Sequence, residues 1–174
     1  MQDEIIIKEI KEGHTEKFGE LVGKYQDSLF TFIFYSVKDE GTARDILQET
    51  FIKALKEINK YREEGKFKAW LWTIARNKIM DFYRKSSKMV PLEEETIKQD
   101  DETSKKALGQ IELSHIQSLI EDLPPEQKEV ILMRQYLSFK EIASVLDCPL
   151  GTVLARLNRA IKKIQKSLGE DYAA

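Results

Sequence analysis

Apolar residues recur at steps of three and four along almost the whole chain, the repeat of a helix with one buried face. Four prolines and eight glycines leave few places for strands and tight turns. An all-α fold follows. Phe18, Leu21, Val22, Tyr25, Leu29, Phe32 and Ile33 line one face of a helix expected from about His14 to Val37. Thr42 and Asp45 are spaced as a capping box for a second helix. Its apolar stripe is Ile46, Leu47, Thr50, Phe51, Ala54, Leu55 and Ile58. After a break at Tyr61-Arg62-Glu63-Glu64-Gly65, a third helix is expected from Lys66 to Ser86, and a short one at Glu4 to Glu12 precedes all three.

The periodicity lapses from Met89 to Lys106, where Glu93-Glu94-Glu95 and Gln99-Asp100-Asp101-Glu102 read as a linker. Two small helical domains are therefore expected, residues 1–88 and 110–174, joined by a flexible acidic segment at 89–109. In the second, helical patterns run from Ile111 to Asp122 and from Pro125 to Tyr136. A short helix opened by a Ser138/Glu141 capping box and ending at Leu146 comes next, and the last runs from Leu150 to Leu168. The final pair, with Asp147-Cys148-Pro149 between, has the size and spacing of a helix-turn-helix. Ile142, Ala143, Leu146, Val153 and Leu157 supply its internal contacts.

Composition narrows the chemistry. The 174 residues hold one cysteine, Cys148, and two histidines, His14 and His115, which excludes an internal disulfide framework and a Cys/His zinc site. The start, Met1-Gln2-Asp3-Glu4, lacks a secretion signal's basic and apolar regions, and the run Leu29 to Val37 is far short of the ~20 residues a spanning helix needs. A soluble, cytoplasmic protein without direct membrane insertion is expected. There is no Gly-rich phosphate loop, metal cluster or nucleophile constellation, so no enzymatic activity and no cofactor is expected.

The net charge of -2 hides a segregation of sign. From Arg62 to Lys88 eight bases face three acids, and from Leu154 to Leu168 five bases face none. From Met89 to Asp122 nine acids face three bases. Either basic stretch alone reads as a solvated helix face. Two of them flanking an acidic connector point to a polyanion touched in two places.

On the last helix, Val153, Leu157, Ala160, Ile161, Ile164 and Leu168 are expected to face inward, and Arg156, Arg159, Lys163 and Lys166 outward, as suits entry into a major groove. In the third helix, Phe67, Leu71, Ile74, Ala75 and Phe82 suffice for a core face. That leaves Trp70, Asn77, Asp81 and Arg84 on one flank and Trp72, Arg76, Ile79 and Tyr83 on the other. Rings beside cations hold unpaired bases, although each tryptophan equally suits a core and Asp81 suits a surface pair with Arg84 or Lys85. The second helix keeps Ile52 among Asp45, Gln48, Glu49 and Lys56, a face that could dock a partner helix or simply be solvated.

Asp45-Ile46-Leu47-Gln48-Glu49-Thr50-Phe51-Ile52-Lys53-Ala54, the Phe67 to Lys85 stretch, Asp122-Leu123-Pro124-Pro125-Glu126-Gln127, and Gly151-Thr152-Val153 with Arg156-Leu157 and Arg159-Ala160 closely resemble bacterial RNA polymerase sigma factors of the extracytoplasmic function (ECF) group. The resemblance spans nearly all of the chain outside the linker and termini. It implies that Asp45, Gln48, Glu49, Ile52 and Lys56 bind the clamp helices of the core polymerase's largest subunit, with the flap as a further contact. It implies that Asn59, Tyr61, Arg62, Lys66, Trp70, Trp72, Arg76, Asn77, Tyr83 and Arg84 capture the melted non-template strand of the minus-ten element. Thr152, Ala155, Arg156, Arg159 and Lys163 would then read the minus-thirty-five element as duplex. It also implies an anti-sigma partner, commonly membrane-anchored.

The chain departs from the family pattern in two places. Leu154 and Ala155 stand where a basic residue and Ser are usual, so upstream recognition is expected to be weaker, turned toward thymine methyl groups, or partly replaced by interaction with another protein. Asp147 stands where the turn often has Gly, the residue that best tolerates left-handed backbone. Two other readings remain open at this stage. A plain helix-turn-helix regulator would bind duplex tightly without polymerase, and a sigma-like adaptor would not itself support initiation.

Overall fold

A computed structural model of the chain describes residues 2–62, 65–89 and 108–173. Among these, eight α-helices and two short 3-10 turns form two bundles, with no strand. Of the expected linker, residues 90–107 lie outside the described residues, as does the Glu63-Glu64 pair, while Met89 ends a helix of the first bundle and Leu108 and Gly109 open a helix of the second.

The first bundle contains α1 (Gln2–Lys11), α2 (Phe18–Val37), α3 (Glu40–Glu57) and α4 (Phe67–Met89). The apolar stripe of α2 is buried as its spacing predicts, from Phe18 to Ile33, and packs against α3 and α4. Lys38 ends α2 in the left-handed conformation at φ +59°, and its N–H donates to the Phe34 carbonyl at 2.7 Å. The start of α3 differs from the expected Thr42/Asp45 capping box. Asp39 is the N-cap and accepts from the Thr42 backbone N–H at 2.7 Å. That bond holds the Asp39 carboxyl below the usual carboxylate range. Thr50 is fully buried, and its hydroxyl avoids an unpaired state by donating to the Ile46 carbonyl at 2.7 Å.

The second bundle contains α5 (Leu108–Glu121), α6 (Pro125–Arg134), α7 (Phe139–Leu146) and α8 (Leu150–Ala173). Pro125 opens α6, where its missing N–H is harmless. Ser138 and Glu141 form the expected reciprocal capping box at 3.2 and 2.7 Å. The α7–α8 turn runs through Asp147 at φ +49°, so the left-handed geometry is met without Gly. Ile142 and Val153 are buried between the two helices, with Ala143, Leu146 and Leu157 partly buried around them.

The bundles are in contact. α4 packs against α7 and α2 against α6, so one continuous hydrophobic core runs through both. Lys68, Trp72 and Arg76, spaced four apart, present one stripe of α4 to the second bundle. The Lys68 ammonium donates to the Tyr136 carbonyl, Trp72 meets the Tyr136 ring at 6.2 Å, and the Arg76 guanidinium pairs with Glu129. Beside them Lys38 pairs with Glu121, and the Gln117 amide donates to the Tyr35 hydroxyl at 3.1 Å.

Candidate nucleic-acid and polymerase interfaces

At the start of α4 a cavity of about 320 Å³ is lined by Lys60, Tyr61, Arg62, Lys66, Trp70 and Thr73, with Ser144 of α7 at its rim. The turn before α4 provides the cations and the first turn of the helix the aromatic wall. Gly65, just before α4, has φ +67°, a conformation that L side chains rarely adopt. Trp70 is half-buried, 5.2 Å from the Tyr61 ring and 5.6 Å from the Phe67 ring. A cavity with an aromatic wall and three cations suits a flat, electron-rich group attached to phosphate.

The α4 residues expected to face DNA divide into two sets. Asn77, Tyr83 and Arg84 are exposed, as are Asn59, Arg62 and Lys66 just before the helix. Arg84 pairs with Asp81, and the Tyr83 hydroxyl donates to the Ser36 carbonyl. Trp72 and Arg76 are covered. Trp72 is fully buried between Tyr25 and Tyr136, its indole N–H without a hydrogen-bond partner, and Arg76 is held by Glu129. Ile79, expected on the same flank, is buried as well. α4 is covered on two sides, which a single apolar stripe does not anticipate. Tyr61 is also buried, and its hydroxyl turns inward to Glu4.

On α3 the expected partner face is solvent-exposed: Asp45, Gln48, Glu49, Ile52 and Lys56 follow one another at helical spacing. Leu55 adds a second exposed apolar residue, and Lys78 of α4 pairs with Glu49 at 3.0 Å. A shallow groove lined by Glu49, Ile52, Lys53, Lys56 and Lys78 results, apolar at its centre and charged at its rim.

On α8, Arg159 is exposed and has no ion pair among the described residues. Arg156 turns back 3.5 Å from Glu126, Lys163 donates to the Asp122 carbonyl at 3.3 Å, and Thr152 and Ala155 are half-buried. Leu150 and Leu154 stand exposed at the N-terminal end. Ile161, expected inward, is exposed too: Ala160 is buried and Ile164 and Leu168 farther along are half-buried, so Ile161 lies beside the covered stripe and not on it.

The sequence matches the Sigma-70 region 2 family over residues 21–89 and the Sigma-70, region 4 family over residues 114–164. It is 31% identical to the ECF RNA polymerase sigma factor SigW of Bacillus subtilis, over 93% of this chain and 94% of that one. It is 29% identical to the RNA polymerase sigma-H factor of Pseudomonas aeruginosa, over 96% and 94%. This chain belongs to the ECF RNA polymerase sigma factors. Its fold is similar to that of CnrH, solved in complex with the cytosolic domain of CnrY, with a TM-score of 0.75, 25% identity and coverage of 98% of this chain and 99% of that one.

Four contributors to this sigma factor's cavity were not among the residues singled out from sequence, Lys60, Ala69, Thr73 and Ser144. Lys60 adjoins Asn59 and Tyr61 and was legible from the basic run beside it. Thr73 carries no charge, and only helix phase places it one turn beyond Trp70. Lys68 was equally overlooked, because its partner is a backbone carbonyl 68 residues away in sequence. No helix among the described residues is long and apolar enough to cross a membrane.

Proposed function

We propose that this transcription initiation factor binds core RNA polymerase through the exposed α3 face and directs it to promoters. The first bundle, residues 1–88, captures and holds open the minus-ten element. The second, residues 110–174, docks α8 on the minus-thirty-five duplex. The observation that carries this reading is the cavity before α4, where three cations surround Trp70 in the stretch that matches Sigma-70 region 2. Rings there stack on a base swung out of the strand, the cations follow its phosphates, and the melted state gains what the duplex does not.

Asn59, Arg62, Lys66, Trp70, Asn77, Tyr83 and Arg84 are available to the strand in this arrangement of the bundles. Trp72 and Arg76 join them only when α6 and α7 leave α4. On α8, Arg159 together with Thr152, Ala155, Arg156 and Lys163 meets the duplex. No covalent step is assigned to the chain; RNA synthesis belongs to the core enzyme, and the factor acts in the cytoplasm. A partner protein that covers these faces, as a counterpart of the cytosolic domain of CnrY bound to CnrH, would hold the factor inactive.

Transcription with purified core polymerase on a library of promoter sequences tests the reading. Product that depends on the added chain and on both promoter elements is expected. Tight duplex binding without polymerase, and no dependent product, would leave the helix-turn-helix regulator as the better account.

A further inference from the structure

The matched region 2 begins at residue 21, so α1 lies outside it, yet α1 is bonded to the cavity wall. Tyr61 is the meeting point. Its hydroxyl donates to Glu4 Oε1 at 3.1 Å and accepts from the Lys66 backbone N–H at 3.1 Å, while its carbonyl accepts from Lys11 Nζ at 2.7 Å. Its ring packs edge-on against Phe67 at 5.6 Å and beside Trp70 at 5.2 Å. Tyr61 is thereby tied to α1 directly, and Lys66 through the Tyr61 hydroxyl.

That helix is itself firmly seated. Ile6, Ile7 and Ile10 are buried, Asp3 accepts from the Tyr25 hydroxyl of α2, and Lys24 reaches Asp3 at 2.5 Å. Glu4 Oε2 is buried without a hydrogen-bond partner, and among the described residues it is the Tyr61 hydroxyl that bonds to the other oxygen of this carboxylate. Breaking that part-buried bond leaves the carboxylate without its described partner, which costs more than losing an exposed bond would.

We propose that α1 is a positioning element for minus-ten recognition: Glu4 and Lys11 hold Tyr61, and Tyr61 sets the spacing between the cation-bearing turn and Trp70 at which a flipped base fits. This rests on the reading of the cavity given above. Tyr61 and Lys11 are positioning residues; the contacts to the base come from Trp70 and the cations. A site a fraction of an ångström too loose still binds the strand but discriminates poorly between bases.

The test uses full-length chain assembled with core polymerase on promoters carrying each base at each minus-ten position. Lys11→Met and Tyr61→Phe are expected to reduce opening of the preferred promoter by about tenfold and to flatten the preference between bases. Affinity for core polymerase and the response to minus-thirty-five changes stay as in the parent, and Lys11→Arg, which keeps the donor, restores the preference. A uniform loss across all promoters, or an unchanged base preference in both variants, overturns the proposal. Amide exchange at Lys66 in the free chain supplies an arm that needs no polymerase. Faster exchange in Tyr61→Phe is expected, and unchanged exchange removes the latch itself. If the parent chain opens no promoter while that exchange does rise, the fault lies with the functional reading and not with the latch.

Discussion

The α4 face and the α8 face are both basic, both helical and both expected from sequence to meet DNA, yet the structure treats them oppositely. On α4, Lys68, Trp72 and Arg76 are occupied by Tyr136 and Glu129 of the second bundle. On α8, Arg159 projects into solvent with no ion pair among the described residues. The difference lies in what each helix carries between its cations. α4 has Trp72, whose full burial against Tyr25 and Tyr136 removes a large apolar surface from water. The outer face of α8 has Asn158, Lys162 and Lys166 around only scattered exposed aliphatics, Leu154 and Ile161, and no ring comparable to Trp72.

The largest test of this contrast is Trp72→Ala, which removes the ring shared by both bundles. A loss of about 3–5 kcal/mol is expected from chemical denaturation, and a loss under about 1 kcal/mol would show that the ring contributes little to holding the bundles together. Next is Arg159→Ala, expected to weaken minus-thirty-five duplex binding by the holoenzyme by about 1–3 kcal/mol. Arg156→Ala should do less, since that guanidinium already has Glu126 beside it. Equal effects would mean that Arg156 swings away from Glu126 on binding.

Glu129→Lys places like charges at the Arg76 contact. The pair is partly solvated, so the expected cost is about 1 kcal/mol, but the consequence sharpens the comparison: α4 should become as open as α8. In a Trp70→Phe background, Trp72 emission should shift to the red and become accessible to a soluble quencher. Unshifted emission would mean that apolar packing alone keeps the bundles closed. Ser138→Ala removes half of the α7 capping box, at about 1 kcal/mol, and loosens the same interface from the other side; thermal unfolding reads it.

The smallest effect appears only in alkali. Burial, and then the bond to Asp3, raise the Tyr25 phenol well above its ordinary 10.0. A group whose folded value is raised contributes stability that is complete below its unfolded value and lost above it as pH rises toward the folded one. Stability should therefore fall above about pH 10, and Tyr25→Phe should flatten that limb while leaving the neutral range almost unchanged.

Much of the fold was legible because it is local. The stripe of α2, the Ser138/Glu141 box and Pro125 at the head of α6 each specify their element from residues within a turn or two of one another. The Thr42/Asp45 box failed because Asp39, three residues earlier, also fits an N-cap and has its carboxylate within reach of the Thr42 N–H. The site was legible only in part. Arg62, Lys66 and Trp70 line the cavity, whereas Tyr61 was read as a DNA contact and is buried among α1, Phe67 and Trp70. Nothing near Tyr61 in sequence announces Glu4 and Lys11 as its partners.

By itself the sequence determined which segments are helical, where α6, α7 and α8 begin, which carry positive charge and to which family the chain belongs. Each of these depends on spacing of a few residues or on motifs in order. Only the tertiary structure decided which cations and rings are free to meet DNA. Trp, Tyr, Arg and Lys combine an apolar body with a polar end, so each is satisfied equally by solvent, by a nucleic acid or by another part of the chain. Which of these it meets depends on elements 50 or more residues away, at Tyr136, Glu129 and Lys11.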